Sequence, residues 1–245
     1  MPTLLWNLWM SDIRFSYPGK DLEAMSFAEN YHAWIRDEIT PFLGDRVAEI
    51  GAGSGNFSQM LLETPLKELK SFEPSGQMFP ILAQNFERFA HAKCTNDFYG
   101  NCAQDHQEYF DTVCYINVLE HIEHDLEELK IAYSTLKKGG RLVIFVPALM
   151  SLMSDFDRSI GHFRRYHKAP LQKLIEDAGF KVIKNHYFDS LGVFPWWLVF
   201  VKLRKNLQGS NVSAYDKFVI PFLRKLEKIF TPPFGKNLLC VAIKE

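Results

Sequence analysis

The hydrophobic pattern changes period repeatedly along the chain. Short apolar runs suited to buried strands lie at 47–50, 66–72, 91–95, 111–117, 141–147, 180–188 and 238–244. Between them the apolar positions fall at three- and four-residue spacing. In 21–43 these are Met25, Ala28, Tyr31, His32, Ile35 and Ile39, ending at Pro41 and Gly44. Further helices are predicted behind the glycines at 51–55, and over 75–88, 126–136 and 168–178. Alternation of this kind predicts an α/β fold, a doubly wound and mostly parallel seven-stranded sheet with helices on both faces. Two connections, 148–166 and 190–237, are longer than a minimal sheet needs, and connections of that length usually carry function or form a cap.

The stretch 46–62, RVAEIGAGSGNFSQMLL, organises the rest. A strand runs into Gly51, Gly53 and Gly55, and a helix of good formers follows. Glycines allow a sharp turn and a close backbone approach to a ligand, and the helix behind presents unpaired N–H groups. The spacing is G-A-G-S-G, not the G-x-G-x-x-G of dinucleotide-binding folds. Glu49 stands just before the turn, where its carboxylate can accept from an ammonium group. Glu73 ends the second strand-like run, a position from which an acid can hold both hydroxyls of a ribose. In open sheets of this type ligands bind beyond the carboxyl ends of the strands, and the glycine turn, Glu73 and the Leu119-Glu120-His121 turn all fall there.

Composition narrows the picture. The chain of 245 residues suits one domain, read as 1–45 (lid and helix), 46–189 (core), 190–236 (helical cap) and 237–245 (last strand). Its 28 basic and 29 acidic residues argue against an electrostatic nucleic-acid binder. Cys94, Cys102, Cys114 and Cys240 lie apart with no C-x-x-C pair, as expected of reduced thiols in a cytoplasmic protein. The apolar start of the chain lacks a basic n-region and a cleavage site, and no run is long enough to span a bilayer. The run 191–201, with Phe194, Trp196, Trp197 and Phe200, is followed by Lys202, Arg204 and Lys205. It is read as a buried cap helix, with cover over a hydrophobic substrate and peripheral membrane contact left open.

With the E-I-G-A-G-S-G string, Glu73, FDTVCYINVLEHI and LKKGGRLVIFVP on the page, the chain resembles the class I S-adenosylmethionine-dependent methyltransferases, in their small-molecule branch. The resemblance spans roughly 28–180. It implies a Rossmann-like core and S-adenosylmethionine as cofactor. Glu49 and the backbone at Gly51, Gly53 and Gly55 would take the amino-acid portion, Glu73 the ribose, and Asp97 the adenine amine. Asn117 and Tyr31 would add contacts to the cofactor. Related quinone-biosynthesis and small-RNA methyltransferases carry E-x-x-E-H at the turn of Glu120 and His121, where it helps bind a divalent metal. Asn117 replaces the first acid here, so a metal is the lesser reading, although Glu120 and His121 with a later histidine could still hold one. His121 is read instead as a pocket residue or general base, since imidazole titrates near neutrality.

The segment IGHFRRY, 160–166, is similar to a G-H-[FY]-R-R-Y segment of a bacterial methyltransferase group. It adds His162 and Tyr166 as candidate catalytic groups and Arg165 as a bidentate grip on an anion, with Trp196 of the cap as a substrate wall. The alternative for Arg164 and Arg165 is that they are solvated or bridge Asp155 and Asp157. The expected reaction is methyl transfer to oxygen, nitrogen or carbon of a small apolar or acid-bearing molecule. A lipid-linked or polyketide-type acceptor, and a catalytically silent cofactor-binding scaffold, are the alternatives.

Overall fold

The computed structural model describes residues 28–204 and 209–245. The expected lid at 14–20 and the first part of the 21–43 helix lie outside the described residues.

The sheet has seven strands: β1 (Arg46–Ile50), β2 (Glu68–Phe72), β3 (Ala92–Thr95), β4 (Phe110–Ile116), β5 (Leu136–Pro147), β6 (Lys181–Phe188) and β7 (Asn237–Ile243). They lie in the order β3-β2-β1-β4-β5-β7-β6. The pairs from β3 through β5 are parallel, and β7 runs antiparallel to both of its neighbours. Burial on both faces explains the near-continuous apolar strands. Along β5, Leu142, Ile144 and Val146 enter one core cluster and Val143 and Phe145 the other, the two-residue alternation of a strand. β5 also starts earlier than the expected 141. Its ladder extends through Gly139, whose N–H reaches the carbonyl of Lys244 at 2.7 Å.

One face is covered by α1 (Glu29–Ile39), α2 (Asn56–Leu62) and α3 (Phe79–Phe86), and the other by α4 (Tyr99–Cys102), α5 (Asp125–Thr135) and α7 (Lys168–Asp177). The short α6 (Asp155–Ser159) lies in the loop after β5. Ser154 starts α6 with a capping box, its hydroxyl and the Asp157 carboxylate each meeting the other's backbone N–H.

The long connection between β6 and β7 is helical: α8 (Val193–Trp196), a π-helical turn (Trp197–Lys202), α9 (Gly209–Phe218) and α10 (Ile220–Ile229). It leaves after Phe188 and returns at Asn237, which pair with each other and, through Asn237, with Pro147 at the carboxyl end of β5. The cap therefore begins and ends at the carboxyl edge of the parallel strands. Among the described residues no helix is long and apolar enough to cross a membrane, and the four cysteines are free thiols.

Candidate active site

The strand order reverses between β1 and β4, so a crevice opens beyond their carboxyl ends. β1 runs directly into the glycine turn. Gly51, Gly53 and Gly55 all have positive φ, at 67°, 57° and 86°, a region that side chains other than glycine rarely adopt. A Cβ on Gly51 would stand 2.7 Å from Val118, and one on Gly55 2.8 Å from Leu82. The turn is therefore glycine-bound by close approach as well as by backbone angle.

Glu73, at the end of β2, braces this turn. One carboxylate oxygen accepts from the Gly53 N–H at 2.7 Å and the other from the Ser75 N–H at 2.7 Å. Burial pushes its carboxyl up, partly offset by those two backbone donors. Each oxygen keeps a second lone pair for another donor. Glu49 lies on the same side, 3% exposed, and one of its oxygens accepts from Ser58 at 2.5 Å and Ser71 at 2.7 Å. Burial raises it to about 7 despite the two hydroxyls. Ser58 and Ser71 are partners that the sequence pattern did not single out, since only the fold brings α2 and β2 against the end of β1.

After β3, Asp97 is half-buried and accepts from the Phe98 N–H and the Asn101 amide, both at 2.7 Å. Asn117, just past β4, has φ 54°, and its N–H donates to the Phe145 carbonyl at 2.7 Å. Tyr31 is placed otherwise than expected. It is buried in the core against Trp34, Phe145 and Phe188, and its hydroxyl donates to Asn237 at 2.9 Å. Its chain neighbours Asn30 and His32 instead line an open groove of about 480 Å³ between α1 and α2, which Asn56, next to Gly55, also borders.

Glu120, His121 and His162 form the second centre. One ligand-competent atom from each lies within 4.8 Å of the others. Glu120 is 1% exposed, and neither of its carboxylate oxygens accepts a hydrogen bond from another residue. Burial raises it to about 7. Burial, then the neighbouring His162, lowers His121 to about 3, and the two imidazoles meet edge to face at 4.6 Å. His162 Nδ1 stands 3.0 Å from Asp157 Oδ1, and its Nε2 is 3.8 Å from Glu120. With Nδ1–H donated to Asp157, the Nε2 lone pair faces Glu120. The fold thus supplies a third group to a turn that had looked incomplete because of Asn117.

The anion grip expected of Arg165 is not formed. Arg165 is 4% exposed, donates to Asp157 at 2.7 and 3.1 Å and to the Ala148 carbonyl at 3.2 Å, and lies 4.7 Å from the Trp196 ring centroid. Trp196 in turn donates to the Leu152 carbonyl at 3.2 Å. Tyr166 is likewise spent internally, donating to Asp125 at 3.0 Å or to the Leu119 carbonyl at 3.2 Å, and burial drives its hydroxyl pKa up. These three residues hold the loop after β5 in place. Asp157 holds Arg165 and His162 together. Burial alone would raise it, but His162 and Arg165 outweigh burial and hold it at about 2.

The methyltransferase-domain family matches residues 26–185. The chain belongs to that family. This methyltransferase also shares its fold with solved structures. A SAM-dependent methyltransferase from Archaeoglobus fulgidus is 23% identical, with a TM-score of 0.63 over 91% of this chain and 99% of that one. The phosphoethanolamine N-methyltransferase 2 of Haemonchus contortus, solved with S-adenosyl-L-methionine, is 17% identical, with a TM-score of 0.59 over 91% of this chain and 57% of that one. The [4+2]-cyclase SpnF, 12% identical, has a TM-score of 0.61 over 92% and 95%. One fold thus serves unlike reactions, and the reaction has to be argued from the site. No curated protein matches the sequence significantly.

Proposed function

We propose that this methyltransferase draws its methyl group from S-adenosylmethionine and passes it to a small, largely apolar acceptor. The observation that carries the reading is the pairing of a glycine turn braced by Glu73 with a second buried carboxyl, Glu49, at the point where strand order reverses. The donor set fits the cofactor: Glu73 retains acceptor capacity for ribose hydroxyls, and Glu49 can ionise against an ammonium group. When bound, the cofactor supplies an electrophilic methyl carbon on a cationic sulfur. The chain's part is to place the acceptor in line, exclude water and take up one proton. His162 is the suited proton acceptor, with Nδ1 on Asp157 and Nε2 turned toward Glu120. With Arg165 paired inside, acid recognition has no support from that residue, and an apolar acceptor under the cap is favoured.

A second reading of the same turn rests on the unpartnered carboxylate of Glu120. Glu120, His121 and His162 would hold a divalent cation, with Asp157 orienting His162 from behind. A buried carboxylate without a hydrogen-bond donor is costly unless an ion or a proton satisfies it.

Calorimetric titration of the protein with S-adenosylmethionine and S-adenosylhomocysteine tests the main reading. Glu73→Ala should weaken both by about 10- to 100-fold, the loss of two charge-assisted hydrogen bonds. Failure of folded wild type to bind either ligand would remove it. A manganese titration, with Glu120→Gln as control, tests the second reading. No uptake by wild type, or equal uptake by the variant, would leave His162 and Glu120 as a proton-sharing pair.

A further inference from the structure

The segment 190–230 contains seven basic residues and two acids, Asp216 and Glu227. Both acids are turned inward. Asp216 is 4% exposed and accepts from the backbone N–H of Asn30 at 3.0 Å and of Tyr31 at 2.8 Å. Glu227 accepts from the Ser190 N–H at 2.8 Å and its hydroxyl at 2.7 Å. The bases point the other way: Lys202, Arg204, Lys217, Lys225 and Lys228 are exposed. Arg204 has only a 3.7 Å contact with Asp155, and Arg224 is paired with Asp37. The outward charge of this segment, among the described residues, is therefore cationic.

The same segment exposes large apolar side chains. Phe222, Leu226 and Ile229 fall at four- and three-residue spacing on α10, whose Ile220 and Leu223 are buried, and Ile229 is 89% exposed. Phe218, at the end of α9, is 73% exposed, and on the cap helix Phe194 is 65% exposed with Trp197 beside it. Glu227 ties α10 to Ser190 at the foot of the cap. Apolar side chains grouped in this way mark a contact surface.

We propose that this face docks on an anionic phospholipid bilayer. An amphipathic helix with an outward apolar stripe and lysines along its flank is the form that lies in a membrane interface, its apolar side chains in the acyl boundary and its cations at the headgroups. Charge decides among occupants. A second copy meeting this face in an isologous contact would set lysine against lysine, at an electrostatic cost. Docking of this kind does not depend on the methyl-transfer reading. If both hold, a membrane-borne acceptor would approach through the cap, whose ends lie at the carboxyl edge of the sheet.

The test is co-sedimentation of the full chain with vesicles of phosphatidylcholine alone and of phosphatidylcholine mixed with phosphatidylglycerol. Wild type should bind the mixed vesicles, less so as salt rises. The double variant Phe222→Ser/Ile229→Ser should lose about tenfold or more in affinity, and Lys225→Glu/Lys228→Glu should lose the preference for the anionic lipid. Unchanged S-adenosylmethionine binding in the variants would show that they fold and separates this outcome from a failure of the cofactor reading; circular dichroism serves if the wild type binds no cofactor. Absence of vesicle binding, or binding that neither variant alters, overturns the proposal. So does a wild-type dimer that the apolar variant disperses while no vesicle is bound, which would assign the face to a second copy.

Discussion

Gly55 concentrates the demands of the glycine turn at one residue. Its φ of 86° is unfavourable for any side chain, and the Cβ it lacks would stand 2.8 Å from Leu82 on α3. Gly55→Ala should therefore cost about 1–3 kcal/mol of stability, seen as a lower denaturation midpoint at unchanged slope. A midpoint equal to wild type would mean that the turn relaxes freely. Gly51 faces Val118 with the same constraint, so glycine at these positions reflects packing of the turn on its neighbours as much as space for a ligand. Glycine and acid identity were legible in the residue string. The hydroxyls that meet Glu49 were not, because Ser58 and Ser71 come from separate elements.

At the scale of elements, the loop after β5 is the part most changed by tertiary contacts. Its length and its His-Phe-Arg-Arg-Tyr string made it a candidate for substrate capture. In the fold its polar side chains are turned onto one another around Asp157, which accepts from Ser154, His162 and Arg165. Arg164 turns to Asp125 and the Glu123 carbonyl, linking the loop to the start of α5. Replacing Asp157 by Asn would leave Arg165 buried beside a neutral group. Breaking a buried pair from one side costs about 3–5 kcal/mol, so Asp157→Asn should lower chemical-denaturation stability by that order. The variant should also lower turnover, since His162 loses its orienting carboxylate. A change in turnover with no loss of stability would assign Asp157 to the reaction rather than to the loop.

Across the whole molecule, buried ionisable groups make stability depend on pH in opposing directions. Glu49 and Glu120 are raised from the ordinary carboxyl range to about 7. The folded state then holds more protons than the unfolded chain between about 4.5 and 7. Their contribution is fully present below that window and falls as pH rises through it. His121, lowered to about 3, acts with the opposite sign: the unfolded chain holds the extra proton between about 3 and 6.5, so stability rises with pH there. Glu49→Gln removes one falling limb alone. Its melting temperature relative to wild type should increase from pH 5 to pH 8, and a difference independent of pH would mean that Glu49 is ionised throughout. S-adenosylmethionine binding near neutral pH should release a proton from Glu49, absent in the same variant, if that carboxylate meets the ammonium group.

The periodicity of apolar positions determined the class of fold and the approximate bounds of its strands, because burial on both faces of a sheet leaves a local imprint on each strand. The E-I-G-A-G-S-G string and Glu73 likewise marked where a ligand site would form, since backbone angle and strand-end position are local properties. Which polar side chains remain available was decided only by tertiary structure. Tyr31, Arg165 and Tyr166 have the chemistry of site residues, yet each meets an internal partner, from a distant segment for Tyr31 and Tyr166 and from the same loop for Arg165. Glu120, with less to recommend it in isolation, is left without a donor beside His121 and His162. Partnering between groups far apart in the chain depends on distance and direction in the folded state, and neither is encoded in local spacing.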